Sequence, residues 1–104
     1  MEGEVLKGHL DMLLLSIVDG GARHGYAVIE ALRERSGGAF ELPEGTIYPA
    51  LHRLEERALV RSAWTEAGRR RRVYELTREG RAALARQRQD WAAFSAAVRS
   101  VLAG

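Results

Sequence analysis

The sequence predicts a mainly α-helical domain that carries one small β-hairpin and ends in a long helix. Three observations predict this. Three stretches within residues 9–58 repeat apolar side chains every three or four positions, two short alternating segments flank a glycine turn, and residues 84–101 hold an apolar heptad pattern.

The first helix covers residues 9–19, where Leu10, Leu13, Leu14, Ile17 and Val18 share one face and Gly20-Gly21 stops the run. A second helix covers residues 24–36. His24 stands at its start, Tyr26, Ile29 and Leu32 are apolar positions expected in the core, and Gly37-Gly38 follows. The third lies in "GTIYPALHRLEERALV", residues 45–60, where Ile47, Leu51, Leu54 and Ala58 recur at steps of four, three and four. Proline lacks an N–H and crowds the carbonyl four residues back, which costs about 3 kcal/mol inside a helix but little in its first turn. The helix is therefore expected to begin near Gly45 or Thr46, with Pro49 in the first turn. That start leaves Thr46, Tyr48, Pro49, His52 and Arg53 on a polar face with no evident structural task.

Residues 59–65 and 71–76 are strand-like, with Val60, Trp64, Val73 and Tyr74. Between them, Glu66, Ala67, Gly68 and Arg69 suit a tight turn with Gly68 at positive φ. Thr77 is the expected N-cap of the final helix. No repeat, low-complexity block or linker interrupts the chain, so residues 1–76 and the helix of residues 77–104 are read as parts of one compact unit.

Composition excludes several classes. At 104 residues the chain has room for one core that buries about two-thirds of the unfolded surface. It has no apolar run of membrane-spanning length, and its acidic start is unlike a signal peptide, so a cytoplasmic location is expected. With no cysteine there are no disulfides or thiolate sites, and His9, His24 and His52 lack zinc-ligand spacing, so no metal or other cofactor is expected. No serine has a nucleophile-elbow context and no glycine loop matches a phosphate cradle, so no catalytic residue is assigned.

The formal charge of +2 hides an asymmetry. Basic residues number four against six acidic ones over residues 1–40, two against four over 41–60, seven against three over 61–81, and three against one over 82–104. Fifteen of the sixteen basic residues are arginine, whose fork matches phosphates and guanine edges. A high-GC genome enriches arginine too.

Three helices, a hairpin and a helix form the order of a winged helix-turn-helix, in which one helix enters a DNA major groove beside a protruding wing. Arg69, Arg70, Arg71 and Arg72 fall at the hairpin tip and the start of its return strand. Taken alone such a run can be a solvated turn; next to the third helix it points to nucleic acid.

The segments "HGYAVIEAL" (24–32), "GTIYPALHRLEERALV" (45–60) and "GRRRRVYELTREGRAAL" (68–84) resemble, in order and separation, the signature segments of the PadR family of bacterial transcriptional regulators. The resemblance covers roughly residues 8–102. It implies a dimeric repressor of the compact subfamily with a single C-terminal helix, with double-stranded operator DNA as partner. Carried over position by position, it implies DNA contacts from Thr46, Tyr48, Pro49, His52 and Arg53 on the recognition helix, and from Gly68, Arg69, Arg70 and Arg71 on the wing. For His52 a solvated helix position is the equal alternative.

In the last helix Leu84, Trp91 and Val98 repeat every seven residues, with Gln87, Phe94 and Val101 three after each, forming an a/d seam broken by one glutamine. The seam needs a partner, either its own domain or a second copy. The family pairs first and last helices across a two-fold axis, which implies an interface of Leu10, Leu14, Ile17, Leu84, Trp91, Phe94, Val98 and Val101. Relatives that sense drugs stack flat aromatic ligands on a tryptophan placed like Trp91, so Trp91 is also a possible effector site, against plain packing. Two rival readings remain: a dimeric small-molecule-binding or interaction module without sequence-specific DNA binding, and a nonspecific nucleic-acid or RNA binder.

Overall fold

The structure, a computed structural model, describes residue 6 and residues 8–21, 24–65 and 71–104. Its elements are α1 (Leu10–Asp19), α2 (Gly25–Arg35), α3 (Glu44–Glu56), β1 (Val60–Trp64), β2 (Arg72–Leu76) and α4 (Arg78–Ala103). The mainly helical architecture with one two-stranded antiparallel hairpin is as expected. The turn expected at residues 66–69, with Gly68, Arg69 and Arg70, lies outside the described residues.

The core lies where α1, α2 and α3 meet beneath the hairpin. Leu14 and Leu15 of α1, Val28 of α2, and Ile47, Ala50, Leu51 and Leu54 of α3 are completely buried, and no buried polar or charged residue occurs among the described residues. The hairpin closes the core through Val60 and Leu76, which pair directly, and through Tyr74 opposite Ser62. This alternation buries Tyr74 and Leu76 on one face of β2 and turns Val73 and Glu75 to the other, while Arg72, on the Tyr74 face, is exposed at the end of the strand.

Two helix ends carry their own explanations. Gly37 (φ +63°) and Gly38 (φ +87°) close α2, the Gly38 N–H donating to the Arg33 carbonyl at 2.9 Å. α3 ends the same way without glycine. The Ala58 N–H donates to Glu55 and the Leu59 N–H to Leu54, both at 2.9 Å, while Ala58 takes φ +61°. Ala58 is therefore past the helix and exposed, a correction to the apolar stripe read from sequence.

α3 also starts earlier than expected. Its N-cap is Pro43, whose carbonyl accepts from Thr46 and Ile47 at 3.0 and 3.1 Å. Pro49 consequently sits in the second turn, and the Gly45 carbonyl loses its intrahelical donor there. Gly45 is exposed, so water can replace that donor and soften the cost.

Thr77 caps α4 as expected, its hydroxyl accepting from the Gly80 N–H at 2.9 Å and donating to the Ala58 carbonyl at 2.6 Å. α4 has 26 residues, about 39 Å of helix, and its buried residues all lie in the first two turns. Ala83 and Leu84 are buried, and no residue of 85–104 is. The molecule is accordingly elongated, 56 × 28 × 19 Å.

This division splits the expected interface residues into two groups. Leu10, Leu14, Ile17 and Leu84 are buried in the core of the single chain. Trp91, Phe94, Val98 and Val101 are exposed, by 43%, 58%, 37% and 78%. The seam serves its own domain at one end and lies open at the other.

Candidate nucleic-acid interface

The outer face of α3 holds Thr46, Tyr48, Pro49, His52 and Arg53, all exposed, opposite its fully buried apolar face. His52 Nε2 lies 3.4 Å from Glu56 Oε1, a short reach along the exposed helix face. Tyr48 has a different environment. Its ring rests on Gly25, the first residue of α2, so closely that a Cβ added there would fall 2.1 Å from Tyr48 Cε1 and 2.7 Å from its hydroxyl. Glycine at position 25 is what seats the ring.

The turn end of the hairpin faces the same region. Arg72 is fully engaged: Nε donates to Ser62 Oγ at 2.8 Å, Nη2 lies 3.5 Å from Glu55, and the guanidinium sits 5.4 Å from the centre of the Trp64 ring. Ser62 in turn donates to Glu55 at 2.6 Å. This network ties the hairpin to α3. Arg71 points instead toward α2, its Nη1 3.2 Å from His24 Nε2. Gly68, Arg69 and Arg70, the other expected wing contacts, lie outside the described residues.

Between α2, α3 and the hairpin runs a cleft of about 690 Å³, lined by His24, Gly25, Tyr26, Glu44, Tyr48, Trp64, Arg71, Arg72 and Tyr74. His24 is the N-cap of α2, its Nδ1 accepting from the Ala27 N–H at 3.3 Å, in line with its expected place at the helix start. Tyr26 is 60% exposed, against the expectation that it belongs to the core, because α2 buries Val28 and Leu32 on the opposite face. A hydrogen bond to Glu30 one turn later raises the Tyr26 phenol above the usual tyrosine range, and burial raises that of Tyr74. Both therefore remain protonated at neutral pH.

Residues 14–86 match the Transcriptional regulator PadR-like family. The chain belongs to that family. A transcriptional regulator from Mycobacterium tuberculosis is 42% identical to this PadR-like chain over 73 residues, covering 69% of this chain and 65% of that protein. Among solved structures, a PadR-like transcriptional regulator from Bacillus cereus superposes with a TM-score of 0.86 at 28% identity, covering 98% and 99% of the two chains. A PadR family regulator from Clostridium difficile gives 0.82 at 35% identity, covering 91% and 99%.

PadR members are transcriptional regulators rather than enzymes, and PadR-type regulators bind DNA. No described helix of this PadR-like chain is long and apolar enough to cross a membrane. Sequence reasoning located the outer face of α3, but it missed that His24 and Tyr26 line one cleft with Arg71. No periodicity encodes a contact between residues 47 positions apart.

Proposed function

We propose that two copies of this chain, joined along the exposed half of α4, bind operator DNA in the cytoplasm as a repressor. The outer face of α3 enters the major groove, and the hairpin lies against the backbone. The observation that carries this reading is the contrast within α3, where one face is completely buried and the other, from Thr46 to Arg53, stands clear beside the hairpin. In that position Tyr48 can donate to a phosphate or pack on a thymine methyl. Arg53 can fork onto guanine, a contact worth about 1–3 kcal/mol of discrimination. Two such helices related by a two-fold axis read half-sites about 34 Å apart.

The test begins with duplexes selected from a random pool, titrated against a scrambled duplex at two salt concentrations. A palindromic winner that outcompetes the scramble by about a thousandfold is expected. Equal, salt-labile binding to both would reject sequence-specific recognition. Repression is checked by placing the winning site across a promoter, where added protein should lower the transcript; a rise would make the chain an activator.

Two substitutions test α3 directly. Tyr48→Ala should weaken operator binding at least tenfold while the dimer persists. Gly25→Ala should do nearly the same without touching α3, because the new methyl evicts the Tyr48 ring. Since that ring is the exposed end of a side chain and can swing away, the thermal midpoint should move only a few degrees. Wild-type affinity in Gly25→Ala would show that the seated ring has no part in binding.

A small aromatic effector at Trp91 is a second reading, favoured by the cleft of about 300 Å³ around it. His9 meets Trp91 edge-on at 5.0 Å, and Asp11, Asp90 and Gln87 line the same space. The Gln87 Oε1 is buried there with no hydrogen-bond partner. Under this reading, Trp91→Ala abolishes ligand-induced release and leaves DNA binding intact. Under plain packing it weakens the dimer.

A further inference from the structure

No single neutral tautomer of His24 can accept from both Ala27 and Arg71. His24 Nδ1 accepts the Ala27 N–H at 3.3 Å, and a neutral imidazole with one accepting nitrogen carries its proton on the other. Nε2–H is then a donor, and the atom 3.2 Å away, Arg71 Nη1, is also a donor. The opposite tautomer would accept from Arg71 but give up the helix cap. With the cap kept, two donors 3.2 Å apart face one cleft. The Tyr48 hydroxyl, close over Gly25, lines that cleft as well.

We infer that this corner is the seat of one DNA backbone phosphate, held jointly by His24 Nε2–H, the Arg71 guanidinium and the Tyr48 hydroxyl. An anionic oxygen accepts from both nitrogens at once, so the cap is kept and the donor conflict is removed. The seat joins three elements: the start of α2, the first turns of α3 and the turn end of the hairpin. A phosphate in it fixes the hairpin relative to the recognition helix. Arg72 is not part of it, being held by Glu55 and Ser62. Glu44 lines the α3 side of the cleft and keeps an anion toward the His24 and Arg71 end.

The inference rests on the operator-binding reading, and the experiment separates the two. The probe is the best 20-bp duplex from a random pool, titrated with wild type, His24→Ser, Arg71→Gln and the double variant. Serine is a good N-cap, so α2 is preserved while the Nε2–H donor is lost. Each single variant should weaken binding about tenfold, Arg71→Gln should lower the log–log salt slope by about 0.9, and the double should lose little more than the worse single. Replacing phosphates one at a time by neutral methylphosphonate should reveal one position that costs wild type about tenfold and the double variant nothing. Strong wild-type binding with His24→Ser unchanged, or with no such position, overturns the seat alone. Failure of wild type to prefer any duplex overturns both.

Discussion

Gly80→Ala should be the most damaging conservative change in the protein. Gly80 is the third residue of α4, and its N–H is held by the Thr77 hydroxyl. A Cβ there would fall 1.9 Å from the Leu59 carbonyl oxygen and 2.9 Å from its carbon. Both are backbone atoms at a junction that cannot yield. The same carbonyl accepts the Thr77 N–H at 3.1 Å, Leu59 is buried, and its own N–H closes α3. Moving it disturbs the end of α3, the start of β1 and the cap of α4 together. Overpacking commonly costs about 1–3 kcal/mol, and contact with fixed backbone places this case at or above the upper figure. For a domain of this size that is a fall in thermal midpoint of roughly 12–24 °C. Circular dichroism at 222 nm would show it, with Gly45→Ala as control. A methyl at Gly45 meets nothing within 4 Å, so helix propensity should leave that variant's midpoint unchanged or slightly higher. If Gly80→Ala melted within a few degrees of wild type, the close packing of α4 on Leu59 would be refuted.

How much could be read from the sequence follows from what each signal encodes. Periodicity reports which side of a helix is apolar, and so it found the stripes of α1 and α3 and the alternation in the hairpin, whereas in α2 it named Leu32 and missed the fully buried Val28. It does not report where a helix begins. α3 starts before its expected first residue because Pro43, which has no capping side chain, serves as N-cap, and the limit set by Pro49 was tighter than an exposed Gly45 carbonyl requires. Nor does periodicity name the neighbour. Tyr26 sits at an apolar spacing yet faces the cleft, and Ala58 fits the stripe yet lies in a left-handed turn beyond it. Leu84 and Trp91 occupy equivalent heptad positions, one buried in its own chain and one exposed. Only the packing of α4 on α1 separates them, with Arg88 donating to Ser16 at 3.2 Å between the two helices.

That separation allows the dimer to be dissociated without unfolding the domain. Phe94→Asp combined with Val101→Asp should give a folded monomer. Both side chains are largely exposed in the single chain, 58% and 78%, so replacing them removes nothing from the core and should leave the thermal unfolding of the isolated chain unchanged. In a dimer formed along this face they are buried, and two carboxylates per copy would each have to be desolvated in an apolar seam, at several kcal/mol apiece. Light scattering during gel filtration should report about 11.5 kDa in place of twice that mass. Operator affinity should fall with it by about a hundred- to ten-thousandfold, because a monomer engages one half-site and loses the effective concentration that the second supplies. Half-site contacts by α3 should survive, so affinity for a single half-site should match that of wild type. Leu84→Asp supplies the contrast: it puts a carboxylate into the core and should abolish cooperative folding. A Phe94→Asp/Val101→Asp protein that stayed dimeric and bound its operator normally would exclude the outer half of α4 as the contact between copies. The exposed apolar residues there would then need another partner, and the two-fold spacing of the α3 helices would have to come from a different surface.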